Sequence, residues 1–101
     1  MEQPTEKGIK SPQTIYRNDK PMTLKEMQDA VGGKIELVID DGKTQIVCNE
    51  EGKIKGLPEN EQATTLWYKK YQEDSGAPFL LPVHDVLVGD VLVLTGKARM
   101  E

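Results

Sequence analysis

The sequence predicts a small α+β domain, a mostly antiparallel sheet with two short helices. Three observations lead there. KIELVIDDGKTQIVCNE alternates apolar and polar residues on both sides of Asp41-Gly42, as a β-hairpin does. MTLKEMQDAVGG and NEQATTLWYKKYQ each carry a capping signal followed by apolar residues at helical spacing. DVLVLT is a short unbroken apolar run, the pattern of a strand covered on both faces.

In chain order, residues 1–11 are polar and are expected to form a flexible segment. Gln13 to Arg17 predicts a first strand with Ile15 and Tyr16 as its apolar weight, and Asn18 to Pro21 a turn. Thr23 suits a helix N-cap, and Glu26, three residues on, completes a capping box. Met22 and Met27 occupy the staple positions around it. Leu24, Met27, Ala30 and Val31 form the expected buried stripe, with Gly32 or Gly33 as the C-cap. A helix this short is marginal alone and must be held by packing.

With Asp41-Gly42 as a two-residue type I′ turn, Asp40 opposes Lys43, Ile39 opposes Thr44, Leu37 opposes Ile46 and Ile35 opposes Cys48. Ile35, Leu37, Ile39, Ile46 and Cys48 then share the inner face, with the first helix as its expected cover. Cys48 reads as a small core hydrophobe. Glu51-Gly52 suggests another turn, and KIKG a short return strand with Ile54 inward and Lys53 and Lys55 outward. Leu57 anchors this loop, and Pro58 ends it. Asn60 is the expected N-cap of a second helix, about Glu61 to Glu73, that buries Ala63, Leu66, Trp67, Lys70 and Tyr71. Ser75-Gly76 and Pro78 close it. The following APFLLPVHDVLVGDVLVLTG supplies one or two strands, with Gly89-Asp90 as a turn opposing Leu87 to Leu92. The domain thus covers residues 12–96, followed by a polar tail, 97–101.

Composition narrows the function. A chain of 101 residues can bury roughly two thirds of its surface, enough for one core without metal or disulfide staples. Its 17 acidic and 13 basic residues give a formal charge of -4, which argues against nonspecific binding to nucleic acid. The single cysteine points to an intracellular, cytoplasmic chain. MEQPTEKG lacks the apolar stretch of a signal peptide, and FLLPV and VLVL fall far short of a membrane span.

No catalytic constellation stands out. The sequence has no HExxH and no cysteine pair, so no metal or other cofactor is expected. His84 is followed by Asp85, but neighbours on an extended chain point apart. The glycines before Lys34 lie after a helix and lack the rest of a phosphate loop. Glu50 and Glu51 diverge likewise, so they are not a glycosidase pair.

The strongest candidate for binding is the Asn49 to Asn60 loop. Asn49 and Asn60 offer amide donors and acceptors, Glu50 a carboxylate, Lys53 and Lys55 ammonium groups, and Gly56 a close-approaching backbone. The same residues also have an ordinary explanation: turn geometry, a helix cap and solvated lysines.

MTLKEMQDAVGGKIELV, IVCNEEGKIKGLPENEQAT and DVLVGDVLVLTG follow one another in an order that resembles the DUF3846-like family. These are small uncharacterised domains of phages, mobile elements and large viruses. The likeness covers about Thr14 to Gly96 and is most specific from Cys48 to Asn60. It implies an accessory, host-modulating protein of mobile DNA and names no catalytic residues.

The leading expectation is therefore a noncatalytic module that binds a protein partner. The alternative is a binder of nucleotides or other small anions through the Asn49 to Asn60 loop. A nucleic-acid mimic ranks lower because lysines interrupt the acidic residues, and a hydrolase ranks last. A homo-oligomer is compatible with all of these.

Overall fold

The structure is a computed structural model and describes residues 11–75 and 85–100. The expectations for segment 1–10, for Gly76 and Pro78 as helix stops, for a strand through FLLPV, for His84 and for Glu101 lie outside the described residues.

The elements run β1 (Thr14–Arg17), α1 (Leu24–Val31), β2 (Ile35–Asp40), β3 (Thr44–Asn49), α2 (Glu61–Ser75) and β4 (Val91–Thr95), then a 3-10 turn, Gly96–Ala98. The strands form one mixed sheet in the order β1-β4-β3-β2. β1 pairs with β4 in parallel, and the other pairings are antiparallel. This is the expected α+β class.

The apolar run of β4 explains the layering. Val91 and Val93 point into a core shared with Ile46, Cys48, Ala63 and Trp67, under α2. Leu92 and Leu94 point the other way, into a core shared with Met27, Val31 and Val47, under α1. The helices therefore cover opposite faces of the sheet. All six residues of β3 are buried, as befits a central strand between two layers.

α1 begins as its sequence predicts. The Glu26 amide donates to Thr23 Oγ1 at 3.0 Å, and the Thr23 amide donates to Glu26 Oε1 at 2.8 Å, a complete capping box. Gly32 closes the helix in the left-handed conformation, φ 83°. Met27, Val31 and Ala30 face the sheet, but Leu24 is 56% exposed and leaves the expected stripe.

The hairpin departs from expectation by register. The turn centres on Gly42-Lys43, not Asp41-Gly42, with Asp40 opposite Gln45 and Ile39 opposite Ile46. Asp41 is the cause. Its Oδ1 accepts from the amides of Lys43 and Thr44 at 2.9 and 2.7 Å, which draws the chain around it. Those bonds, Thr44 first, hold the Asp41 carboxyl below its ordinary pKa. Gly42 takes φ 88°, as the first corner of a primed turn requires.

The register shifts again between Leu37 and Ile39, so that Leu37 opposes Val47 and Glu36 opposes Cys48. The irregularity splits the expected inner face. Ile39, Ile46 and Cys48 lie under α2, while Ile35 joins the α1 side. Leu37 is left 45% exposed.

Two further expectations are corrected. Residues 50–56 are turns rather than a return strand, and Ile54 points outward, 88% exposed. Gly89-Asp90 does not fold Leu87 against Leu92. Val88 bridges to Glu59, and the Leu87 carbonyl accepts from the Asn60 amide at 2.8 Å. After β4 the chain turns back onto the sheet. Ala98 is buried, and the Met100 amide donates to Gln45 Oε1 at 2.6 Å.

Candidate functional site

Asn49 ends β3 and turns its side chain inward. Nδ2 donates to the Val31 carbonyl at 3.1 Å, taking up an orphan carbonyl at the end of α1. Oδ1 accepts from the Glu51 amide at 2.8 Å, and the Asn49 carbonyl accepts from the Gly52 amide at 3.1 Å. The residue is 4% exposed. It ties α1, β3 and the loop together, and its side-chain groups face the protein rather than a ligand.

Asn60 has an analogous place at the other end. Oδ1 accepts from the Ala63 amide at 2.9 Å, the N-cap bond of α2. It also accepts from Thr14 Oγ1 at 3.2 Å. Nδ2 donates to the carbonyls of Gln13 and Gly89 at 3.1 and 3.0 Å. One side chain thus joins β1, α2 and the approach to β4. Thr64 extends the network, accepting from the Leu87 amide at 2.9 Å.

Between these anchors the loop is packed at its foot and open at its tip. Gly52 is buried, and a Cβ there would come within 2.8 Å of Val88 Cγ2. No larger residue fits without moving Val88. Leu57 lies against both Gly52 and Gly89, as an anchor should. At the tip, Lys53 pairs with Asp85, and Lys55 Nζ lies 3.7 Å from Glu51 Oε1. Gly56 takes φ 72° and donates its amide to the Lys53 carbonyl at 3.1 Å. Glu50 is exposed, its amide donating to the Lys34 carbonyl at 2.8 Å.

The sequence-predicted set is therefore one continuous loop with divided roles. Asn49 and Asn60 point into the protein; Glu50, Lys53 and Lys55 point out of it. Ile54, between the lysines, was expected inside and is the most exposed large apolar residue among those described.

A cleft of about 290 Å³ opens on the α2 side of this loop. Val38, Trp67 and Val86 supply apolar wall, and Leu37 and Ile54 border it. Glu36, Glu50, Lys53 and Asp85 are its charged lining. A second depression, about 370 Å³, lies on the α1 side and reaches Lys55, Asp29 and Asp90. The first cleft draws on β2, β3, α2 and the stretch before β4, so no local motif could announce it. Asp85 meets Lys53 across a separation of 32 residues. The exposure of Leu37 was hidden because it follows from the register shift in β2.

Cys48 also lines the cleft but is 6% exposed. Burial first, and the nearby Glu36 carboxylate second, push its thiol up to about 11. Such a thiol stays protonated near neutral pH and is a poor nucleophile. Among the described residues, no group of three or more His, Cys, Asp or Glu could hold a metal ion. No helix among them is long and apolar enough to cross a membrane.

No curated protein and no solved structure matches the chain. One family model does, "Domain of unknown function (DUF3846)", and it spans residues 3–100. The match takes in both asparagine anchors, the loop between them and every strand of the sheet; the chain belongs to the DUF3846 family.

Proposed function

We propose that the domain is a noncatalytic interaction module, a cytoplasmic accessory of a mobile element that docks on a protein partner through the tip of the β3–α2 loop. The observation that carries this reading is Ile54. It is 88% exposed, yet the loop that presents it is fixed at both ends by buried asparagines. Single exposed apolar residues are ordinary. Here Ile54 borders an apolar-walled cleft, with charged residues around it. An apolar centre with a polar rim is the usual anatomy of a protein contact. The family resemblance supports the mobile-element setting, and the lone cysteine supports the cytoplasm.

The anion-binding alternative has less behind it. An anion at Lys53 or Lys55 would compete with Asp85 or Glu51 for the ammonium group. Such exposed pairs are weak, so a thermal-shift screen with nucleotides is a fair test of that alternative.

Docking is tested by placing a photo-crosslinking residue at Ile54 in cells, with exposed Thr65 on α2 as control. The expected result is a discrete adduct from position 54 alone, with binding lost in Ile54→Asp at unchanged melting temperature. Equal adducts from both positions, or undiminished binding by Ile54→Asp, would refute it.

A further inference from the structure

We infer that the cleft between β2, the β3–α2 loop and α2 receives an apolar side chain from a basic peptide segment. The inference rests on the docking reading above and adds the chemistry of the partner. Its volume, about 290 Å³, sits at the lower limit of small-molecule pockets, which span roughly 300–1,000 Å³. It suits one aliphatic side chain with its flanking backbone. Val38, Trp67 and Val86 give that side chain apolar wall to cover.

Charge selects the neighbours of that side chain. Among the described residues, the lining carries three carboxylates, Glu36, Glu50 and Asp85, against one ammonium, Lys53. Lys53 is already paired with Asp85. Glu36 and Glu50 are thus the lining's excess charge, and both are exposed. A cationic side chain flanking the inserted residue finds two carboxylates, whereas an acidic one is repelled.

A third observation favours a peptide over a hydrocarbon. Trp67 is 7% exposed, and its Nε1 has no hydrogen-bond partner among the described residues. A buried donor without an acceptor is costly. A peptide carries backbone carbonyls, the acceptor class this donor lacks. The nitrogen is sealed from solvent, and Trp67 lines the cleft, so its indole reports on what enters there. Insertion of a side chain is favoured over addition of a strand to β2. β2 is an end strand, but its register shift at Val38 spoils the regular edge that strand addition needs.

Trp67 is the single tryptophan of the sequence, so its indole N–H gives one NMR signal. The 15N-labelled full chain is titrated with three blocked tripeptides, Arg-Leu-Arg, Glu-Leu-Glu and Arg-Ser-Arg. The basic leucine peptide should shift the indole signal and bind roughly tenfold tighter than either of the others. The double variant Glu36→Gln, Glu50→Gln, with unchanged thermal midpoint, should cut the preference of Arg-Leu-Arg over Glu-Leu-Glu to about threefold or less. An unmoved indole signal, an equal response to the serine peptide, or a preference that survives the double variant would overturn the inference. Failure here beside a positive Ile54 crosslink leaves docking standing with a different partner chemistry. Peptide binding as expected beside an inert Ile54 leaves the cleft standing and removes the tip.

Discussion

Asn49 and Asn60 stand at the feet of the β3–α2 loop, 4% and 2% exposed; Ile54 stands at its tip, 88% exposed. The feet make bonds to α1, β1, the turn before β4 and the first turn of α2. The tip makes two ion pairs, both with considerable side-chain exposure. In sequence the two regions look alike, polar and punctuated by glycine. The difference teaches that one polar stretch can be a buried scaffold at its ends and an exposed surface in its middle. Buried amides hold the backbone in place, and that leaves side chains at the tip free of structural duty.

Removing a foot should do the most damage. Asn60→Ala strips a helix cap, leaves the Gly89 carbonyl without its side-chain donor and leaves the Gln13 carbonyl with the Val91 amide alone. The expected loss is roughly 3 kcal/mol, read as a lower urea midpoint at an unchanged slope. Asn60→Asp sharpens the point. It keeps the acceptor for Ala63 but replaces the donor with an oxygen facing two carbonyls, so it should recover little. Recovery to wild-type stability would show that capping alone matters.

Asn49→Ala comes next. It uncovers the Val31 carbonyl and the Glu51 amide, at an expected cost of about 2 kcal/mol. Hydrogen exchange at Glu51 and Gly52 should rise more than at β4, since the loop opens locally before the sheet does. A uniform rise would mean that Asn49 supports the whole fold and not the loop in particular.

How these roles were read from sequence divides along the same line. The Thr23-Glu26 capping box, the Asn60 cap, the two-sided burial of β4 and the α+β class were legible, because local chemistry decides them. The hairpin register was not. Asp41-Gly42 matches the common turn pair, but the Asp41 carboxylate captured two amides beyond itself and moved the corner on by one residue. The shift at Val38 then undid the simple alternation of β2, which returned Ile35 to one face and left Leu37 half exposed. Of the candidate site, the sequence singled out the loop but not the cleft beside it, since Trp67, Val38 and Asp85 come from three distant segments.

A smaller effect probes the wall that the feet hold in place. Cys48 is buried beside the cleft, with its thiol pushed up to about 11 from an ordinary 9.0. The native state therefore keeps a proton that the unfolded state sheds. Stability should fall as pH rises from about 9.0 towards 11, and the thiol contributes no pH dependence below that window. Cys48→Ala should remove this component, so the stability gap between the two proteins narrows across that range. A thiol reagent should label the native protein slowly and the denatured one fast. A parallel pH profile for the two proteins, or fast native labelling, would place Cys48 in solvent and blur the contrast between a rigid foot and an open tip.

The tip should tolerate most. Lys53 and Lys55 have side chains that are 60% and 47% exposed, and each meets a carboxylate that is itself partly in water. Screening and side-chain entropy reduce such pairs to a few tenths of a kcal/mol each. The double variant Lys53→Ala, Lys55→Ala should therefore melt within about 0.5 kcal/mol of wild type. It also frees Asp85 and Glu51, which makes the rim of the cleft more acidic. A basic partner should then bind somewhat tighter, by a factor that shrinks as salt is added, while a nucleotide or other anion should bind less well. The two readings of the loop thus predict opposite signs from one protein. Loss of stability as large as that of Asn49→Ala would erase the distinction between foot and tip altogether, because the lysines would then belong to the scaffold.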